Sequence, residues 1–218
     1  MMIQISLERR QLQLSPIEQS LAKAAASRSA MRFQFQFQLA NKESAYQSAS
    51  PLQIQTAILK RMISKYSEQM VYRPLDEMQY WFAYSSGAFL EPGYPPLFYS
   101  RTEHRTVSPS KSAVAGIGEG IAGFLAQQLY RCRKLARPNH DYPDIVMEGN
   151  GKTYLVEAKA TTASDLDIQQ IIEDELIRMV AYASACAELE TRSVVGVLVG
   201  TALVSETHYR CYVTEVTV

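Results

Sequence analysis

The hydrophobic residues of the N-terminal half follow two different periods. Ile3, Ile5 and Leu7 alternate with other residues, and residues 33–39 read Phe-Gln-Phe-Gln-Phe-Gln-Leu. Strict alternation is typical of a strand with one buried face. The pattern therefore predicts two strands, and the first could pair with the second.

Three Ser-Pro steps predict helix starts, at Ser15-Pro16, Ser50-Pro51 and Ser108-Pro109. A serine at the N-cap satisfies a free amide of the first turn, and proline at the next position lacks an amide that would stay unpaired. These steps predict helices near 16–30, 51–70 and 109–130.

The helix expected at 51–70 is amphipathic. Its apolar face comprises Ile54, Ile58, Met62 and Tyr66. Lys60, Arg61 and Lys65 fall largely elsewhere, and we interpret them as candidate nucleic-acid-binding contacts to phosphate. Residues 1–107 as a whole are expected to form an α+β elaboration that packs on the rest of the chain and helps to bind substrate or a second subunit.

Aromatic side chains are concentrated in residues 72–105. They are typical of a small core with a solvated rim, and they could instead stack on bases beside Arg73, Arg101 and Arg105. Residues 91–96, Glu-Pro-Gly-Tyr-Pro-Pro, predict an irregular loop.

The second half changes more regularly between strand and helix periods. It predicts strands at 144–148 and 153–160, a helix near 165–190, and strands at 194–204 and 208–216. The buried face of that helix is marked by Ile168, Ile171, Ile172, Leu176, Met179 and Ala183. This order predicts an α/β (α+β) fold, in which a central mixed sheet is flanked by helices. We expect residues 108–218 to form its core.

Composition narrows the classes of function. The chain has 218 residues, of which 22 are basic and 22 acidic. This balance argues against a protein that coats nucleic acid by charge alone, although a local basic patch would suffice for binding. Cys132, Cys186 and Cys211 form no C-x-x-C pair, so neither a zinc knuckle nor an iron–sulfur cluster is predicted. Sparse cysteines, a charged N-terminal segment and short apolar runs lead us to expect a cytoplasmic protein without a membrane partner.

A hairpin near the middle of the second half brings two acids together. Asn150-Gly151 is a strong type I′ turn signal. Counting outward from it, Asp144 faces Glu157, and opposed Cβ atoms in a hairpin lie about 4.5–5.5 Å apart. Such a pair is destabilising unless a cation neutralises it, and oxygen ligands suit Mg²⁺. Lys159 lies two residues beyond Glu157 and therefore on the same face.

The alternative is an exposed hairpin with ordinary surface charges. In that case Asp144, Glu157 and Lys159 would be solvated, and Val156 and Ala158 would form the buried face. The spacing of these residues alone leaves both interpretations open.

Pro143-Asp144 followed by Glu157-Ala158-Lys159 resembles the signature of the PD-(D/E)XK nuclease superfamily, the restriction endonuclease-like proteins. The resemblance covers about residues 109–204. It implies a core of one helix, a three-stranded meander, a second helix and a further strand, with the acids on the second and third strands. Glu119, in a glycine-rich segment of the first core helix, matches a glutamate that reaches the metal in many members.

The resemblance also implies the chemistry. Asp144 and Glu157 would bind Mg²⁺, or Mn²⁺ as a substitute, with the Ala158 carbonyl and Glu119. Lys159 would position the attacking water or stabilise developing charge. Gln169 or Gln170, early in the next helix, could approach the phosphate.

The function expected is therefore metal-dependent hydrolysis of phosphodiester bonds by a DNA endonuclease. The alternative is a non-catalytic DNA-binding or assembly module that keeps the nuclease fold. A third interpretation is an interaction protein that binds through its aromatic N-terminal half. Because cutting both strands with one site per chain usually requires two chains, a homodimer is a possible partner arrangement.

Overall fold

The computed structural model describes residues 1–40, 45–85, 90–92, 98–100, 108–138 and 142–218. Its helices are α1 (Pro16–Ser27), α2 (Ser29–Ala40), α3 (Thr56–Tyr66), α4 (Pro74–Ser85), α5 (Lys111–Tyr130) and α6 (Asp165–Leu189). Its strands are β1 (Met2–Gln13), β2 (Gln47–Gln55), β3 (Leu90–Pro92), β4 (Phe98–Ser100), β5 (Arg133–Ala136), β6 (Ile145–Gly149), β7 (Lys152–Thr161), β8 (Ser193–Ser205) and β9 (His208–Thr217).

A seven-stranded mixed sheet organises the chain, in the order β2-β1-β9-β8-β7-β6-β5. Strands β7 and β8 are parallel, as are β1 and β9, and the other neighbours are antiparallel. Helices α3, α4 and α5 cover one face over a core that includes Ile117 and Val156. Helices α1, α2 and α6 cover the other face over a core that includes Ile172 and Leu198. The predicted α/β fold with a central mixed sheet flanked by helices is confirmed.

The second half follows the predicted order closely. Helix α5 leads into the antiparallel meander β5-β6-β7, and α6 then crosses to β8, which is parallel to β7. Ser110, and not the predicted Ser108, is the N-cap of α5, which begins at Lys111. Ser164 caps α6 in a capping box, so local side-chain bonds start both helices. The meander and the crossover place the 144–159 segment between the two helical layers.

The N-terminal segment contributes directly to the sheet. Strand β1 lies between β2 and β9, and its Ile3, Ile5 and Leu7 are buried in the same core as α5. Residues on both sides of position 107 therefore share one sheet and one hydrophobic core.

Residues 33–39 form part of helix α2, so the predicted strand is wrong. Phe35 and Leu39 are buried against the α1 and α6 layer, whereas Phe33 is 74% exposed. Strict alternation also places apolar residues at i and i+4, which is one face of a helix. The packing of Phe35 and Leu39 on α1 and α6 selects that face, and β1 pairs with β2 and β9 instead.

The helix predicted at 51–70 begins later, at Thr56, and the predicted start at Ser50-Pro51 is wrong. Pro51 lies in β2, where Ser50 and Pro51 form a bulge between the pairs Ile5–Leu52 and Leu7–Ala49. An edge strand tolerates proline at a bulge because no partner needs its amide. Helix α3 consequently buries Leu59, Ile63 and Tyr66, while Ile58, which we expected on the buried face, is partly exposed.

The aromatic segment is described only in part. Trp81 and Phe82 of α4 pack partly buried against the core, whereas Tyr80 is exposed. The predicted loop at 91–96 is described only at residues 91 and 92, which end β3, and Arg101 and Arg105 lie outside the described residues. Within the described ranges, no helix is long and apolar enough to cross a membrane.

Candidate active site

The β6–β7 hairpin has the register predicted from its turn. Asn150 and Gly151 both have positive φ, at 51° and 73°, and five cross-strand pairs run from Gly149–Lys152 to Ile145–Val156. Asp144 directly precedes β6 and is therefore next to Glu157. The turn thus fixes the position of the acids about six residues away.

Backbone amides donate hydrogen bonds to the carboxylates of both Asp144 and Glu157. The Asp144 amide donates to Glu157 Oε2 at 3.1 Å, and the Ala158 amide donates to Asp144 Oδ2 at 2.7 Å. Glu157 is only 2% exposed. The predicted cross-strand contact is confirmed, and Glu157 is buried while Asp144 is half-buried.

Lys159 completes the group on the same face. Its Nζ donates to Glu157 Oε1 at 2.8 Å and lies 3.5 Å from Glu175 Oε1 of helix α6. Strand alternation places Lys159 and Glu157 together, and α6 adds Glu175 from above. The predicted contact of the lysine with the acids is confirmed.

The electrostatics indicate an excess of negative charge. Burial, followed by the charge of Asp144, raises the pKa of Glu157 to about 7. Burial also raises the pKa of Asp144, although the Ala158 amide acts in the opposite direction. Burial acts to lower the pKa of Lys159, but its hydrogen bond to Glu157 and the surrounding carboxylates raise it overall. A cation at this position would relieve the repulsion between the two acids.

Glu119 is held on the other face of the sheet. Glycine allows α5 to approach β7 there, since an added Cβ at Gly118 would lie 2.6 Å from the Cβ of Ala160. The Glu119 carboxylate, 5% exposed, accepts from the Glu68 amide at 2.7 Å, from the Gln69 side chain at 3.0 Å and from Arg137 at 3.1 Å. Its charge still contributes to raising the pKa of Asp144.

Among the described residues, no three or more His, Cys, Asp or Glu side chains are grouped so that they could hold a metal ion. Asp144, Glu157 and Lys159 lie together in the structure. Glu119 instead accepts hydrogen bonds from the α3–α4 connection and from Arg137. The oxygen atoms that could act as cation ligands here belong to the opposed carboxylates of Asp144 and Glu157. A ligand role for the Ala158 carbonyl stays a prediction.

Sequence reasoning missed several neighbours of this group. Glu175 lies at the edge of the apolar stripe of α6, three residues after Ile172. An acidic residue beside a buried face is the sequence feature that could have indicated its position near the site. Arg137 bridges Glu119, Glu68 and the Tyr66 carbonyl, which only the tertiary fold brings together. No local pattern indicated that role.

A cavity of about 590 Å³ lies between α6 and the helices α1 and α2, with Glu175, Arg178 and Tyr182 in its wall. The Arg178 guanidinium lies over the ring of buried Tyr142, 4.3 Å from its centroid. Of the carboxylates near Lys159, Glu175 therefore lies in the wall of a concave surface of ligand-sized volume.

The remaining predicted contacts lie away from this group. Gln169 hydrogen-bonds Tyr212 on β9, two strands from β7, and Gln170 donates to Asp174 at 3.0 Å. Lys60, Arg61 and Lys65 are exposed on α3, and Lys60 pairs with Asp76 at 3.0 Å. A phosphate-binding role for these residues stays a prediction.

Comparison with known proteins gave no relative: no family model, no curated protein and no solved structure matches this chain.

Proposed function

We propose that this protein is a metal-dependent nuclease that hydrolyses phosphodiester bonds, and that its substrate is DNA. The observation that carries the proposal is the contact of half-buried Asp144 with buried Glu157, with Lys159 donating to Glu157 at 2.8 Å. Two carboxylates and an amine on one strand pair are costly to bury unless a substrate or a cation uses them.

The topology gives independent support. The order α5, β5–β7, α6, β8 is the order that the PD-(D/E)XK resemblance implies, and the acids lie at the second and third strands of the meander. The same fold can carry unrelated activities, so the site residues remain the main support.

The donor set fits Mg²⁺. This ion commonly uses one or two carboxylates and completes its shell with water and substrate phosphate. Asp144, Glu157 and the Ala158 carbonyl would hold it. Burial, and after it the charge of Asp144, raise the pKa of Glu157, and the cation would neutralise this charge. A divalent cation supplies Lewis-acid polarisation of a phosphodiester. Lys159 would orient the attacking water or stabilise the charge that develops on the phosphate.

One observation favours the non-catalytic alternative. Glu157 and Lys159 form a hydrogen-bonded ion pair, and Glu119 accepts hydrogen bonds from three donors. A purely structural ion pair would show the same contacts. In that case the fold would bind DNA or assemble with a partner without cutting. A homodimer is compatible with both functions.

The test is a cleavage assay on plasmid, linear duplex, branched DNA and RNA with Mg²⁺ or Mn²⁺. Asp144→Asn should abolish cleavage, because it removes a ligand charge at nearly constant shape. Lys159→Ala should abolish turnover and leave metal binding, followed by calorimetry, largely intact.

Glu188→Gln is a matched control, since it removes one carboxylate charge at nearly constant shape from an exposed side chain near the end of α6, where it pairs with Lys23. It should cut at the wild-type rate. A wild-type protein that is inert on every substrate and binds neither metal would defeat the nuclease proposal and favour the non-catalytic alternative.

A further inference from the structure

One border of the sheet carries a cluster of cations. Strand β5 is the terminal strand, and next to it the turn of the β6–β7 hairpin meets the start of β8. We call the cations at this border the basic edge; they are Arg131, Arg133, Lys134, Lys152 and Arg192. Four of them line a concave surface of about 480 Å³, on which Glu148 is the one acid among the described lining residues.

The basic edge keeps a positive charge after its ion pairs are considered. Glu148 accepts from Arg133 at 2.8 Å and from Arg192 at 2.9 Å, so one carboxylate serves two guanidinium groups. Within the described part of the chain, Arg131 and Lys152 have no acidic partner within 4.0 Å. The whole protein is electrically balanced, with 22 basic and 22 acidic residues, so this local excess is a distinct feature of the surface.

Cations flank both faces of the edge strand. Successive residues of a strand point to opposite faces, so Arg133 and Lys134 diverge. Lys134 Nζ donates to the Lys65 carbonyl of α3 at 3.0 Å, whereas Arg133 pairs with Glu148. A polyanion that runs along this border would meet positive charge on either side of β5.

The basic edge lies at a defined distance from the acids. Arg133 is opposite Glu148, which is four residues along from Asp144. At about 3.3–3.4 Å per residue, that separation is about 13 Å. Successive phosphates of one DNA strand are spaced about 3.4 Å along the helix axis, so the distance corresponds to about four nucleotides.

We propose that the basic edge binds the sugar–phosphate backbone of duplex DNA, about four base pairs from the phosphate at Asp144 and Glu157. Guanidinium groups fit phosphate oxygens in a bidentate way, and such contacts position a duplex without reading its sequence. The stated distance from the phosphate at Asp144 and Glu157 rests on the proposed function, whereas the binding of duplex DNA by the basic edge does not. Charges on an edge strand also prevent edge-to-edge pairing, but Arg131, Lys152 and Arg192 lie outside β5.

The test compares two triple variants with equal loss of charge. The edge variant carries Arg131→Gln, Arg133→Gln and Lys152→Gln. The control variant replaces exposed cations at the C-cap of α1, at the start of α5 and on β9, and carries Arg28→Gln, Lys111→Gln and Arg210→Gln. Affinity for a labelled duplex is measured by fluorescence anisotropy in EDTA across a range of salt concentrations, and thermal midpoints verify that both variants are folded.

The edge variant should lose about 0.9 in the slope of log affinity against log salt for each phosphate contact removed, and about tenfold or more in affinity at low salt. The control variant should keep the wild-type slope. Equal slopes and affinities for the two variants would overturn the proposal. So would a wild-type protein that does not bind duplex, or an edge variant that only aggregates.

The outcome is separable from that of the cleavage assay because binding is measured without metal. A protein that binds through the basic edge but never cuts would contradict the nuclease proposal alone. A protein that cuts, but whose edge variant binds like the control, would contradict the basic-edge proposal alone.

Discussion

At the scale of single residues, the carboxylates of Asp144, Glu157 and Glu175 gather around the ammonium group of Lys159. Their mutual repulsion links the site to the stability of the fold. Glu157 has a pKa of about 7 in the folded protein against an ordinary value of 4.5. Between these values the unfolded chain has already released a proton that the folded chain keeps.

The metal-free protein should therefore lose stability as pH rises from about 4.5 to about 7, because the unfolded state then binds fewer protons than the folded state. Asp144→Asn removes the charge that helps to raise the pKa of Glu157, so its loss over the same window should be smaller. At pH 7 the variant should be at least as stable as the wild type. Urea denaturation in EDTA at several pH values measures both curves.

Groups elsewhere titrate equally in the two proteins, so the difference between the curves isolates the site. Identical curves, or a steeper loss in Asp144→Asn, would contradict the predicted repulsion. Mg²⁺ should add stability to the wild type above pH 7 by binding the folded state, and should add less to the variant.

At the scale of elements, the glycines of α5 decide how closely it packs. An added Cβ at Gly120 would lie 2.6 Å from Ile63 Cγ1 and 3.0 Å from the Ile63 backbone of α3. At Gly116 the nearest atom would be the Ser67 hydroxyl oxygen at 3.1 Å, a side-chain atom that must give by only a few tenths of an ångström.

Gly120→Ala should destabilise the protein by about 1–3 kcal/mol, because two backbones must separate. Gly116→Ala is the matched control in the same helix, and it should be neutral or stabilising by up to about 1 kcal/mol through helix propensity. Thermal or urea unfolding of both variants measures this. Similar effects of the two substitutions would mean that the close contact between α3 and α5 does not limit packing.

Elements set by short-range signals were predictable from the sequence. The Asn150-Gly151 turn determined the register of β6 and β7, and the Ser15-Pro16 step determined the start of α1. Residues 33–39 were not predictable, because alternation fits one face of a strand and also contains an i, i+4 face. Their state depends on α1 and α6, which lie far away in the chain. The donors around Glu119 come from two segments that lie far from each other in the chain, so no local pattern could indicate them.

At the scale of the whole molecule, β1 joins the first and last parts of the chain in one sheet. It pairs with β9 from Gln4–His208 to Gln13–Thr217, and its Ile3 and Ile5 are fully buried. Removing it would expose a long edge of β9 and a large part of the hydrophobic core.

Residues 108–218 expressed alone should therefore fail to form a stable monomer, although they contain every element of the proposed catalytic core. We expect aggregation or a non-cooperative unfolding transition, measured by size-exclusion chromatography and circular dichroism. Co-expression with residues 1–107 should restore a soluble complex. A monomeric fragment that unfolds cooperatively would instead show that the core is an independent domain.

The parallel pairing of β1 with β9 also constrains how the protein is made. Partners such as Leu7 and Cys211 are separated by about 200 residues, and contacts of such long range slow folding because a large loop must close first. During synthesis β1 can pair with β2 early, but its other edge stays open until the ribosome has released β9. Of the strands in this sheet, β1 is translated before the others, so its open edge should need chaperones for the longest time.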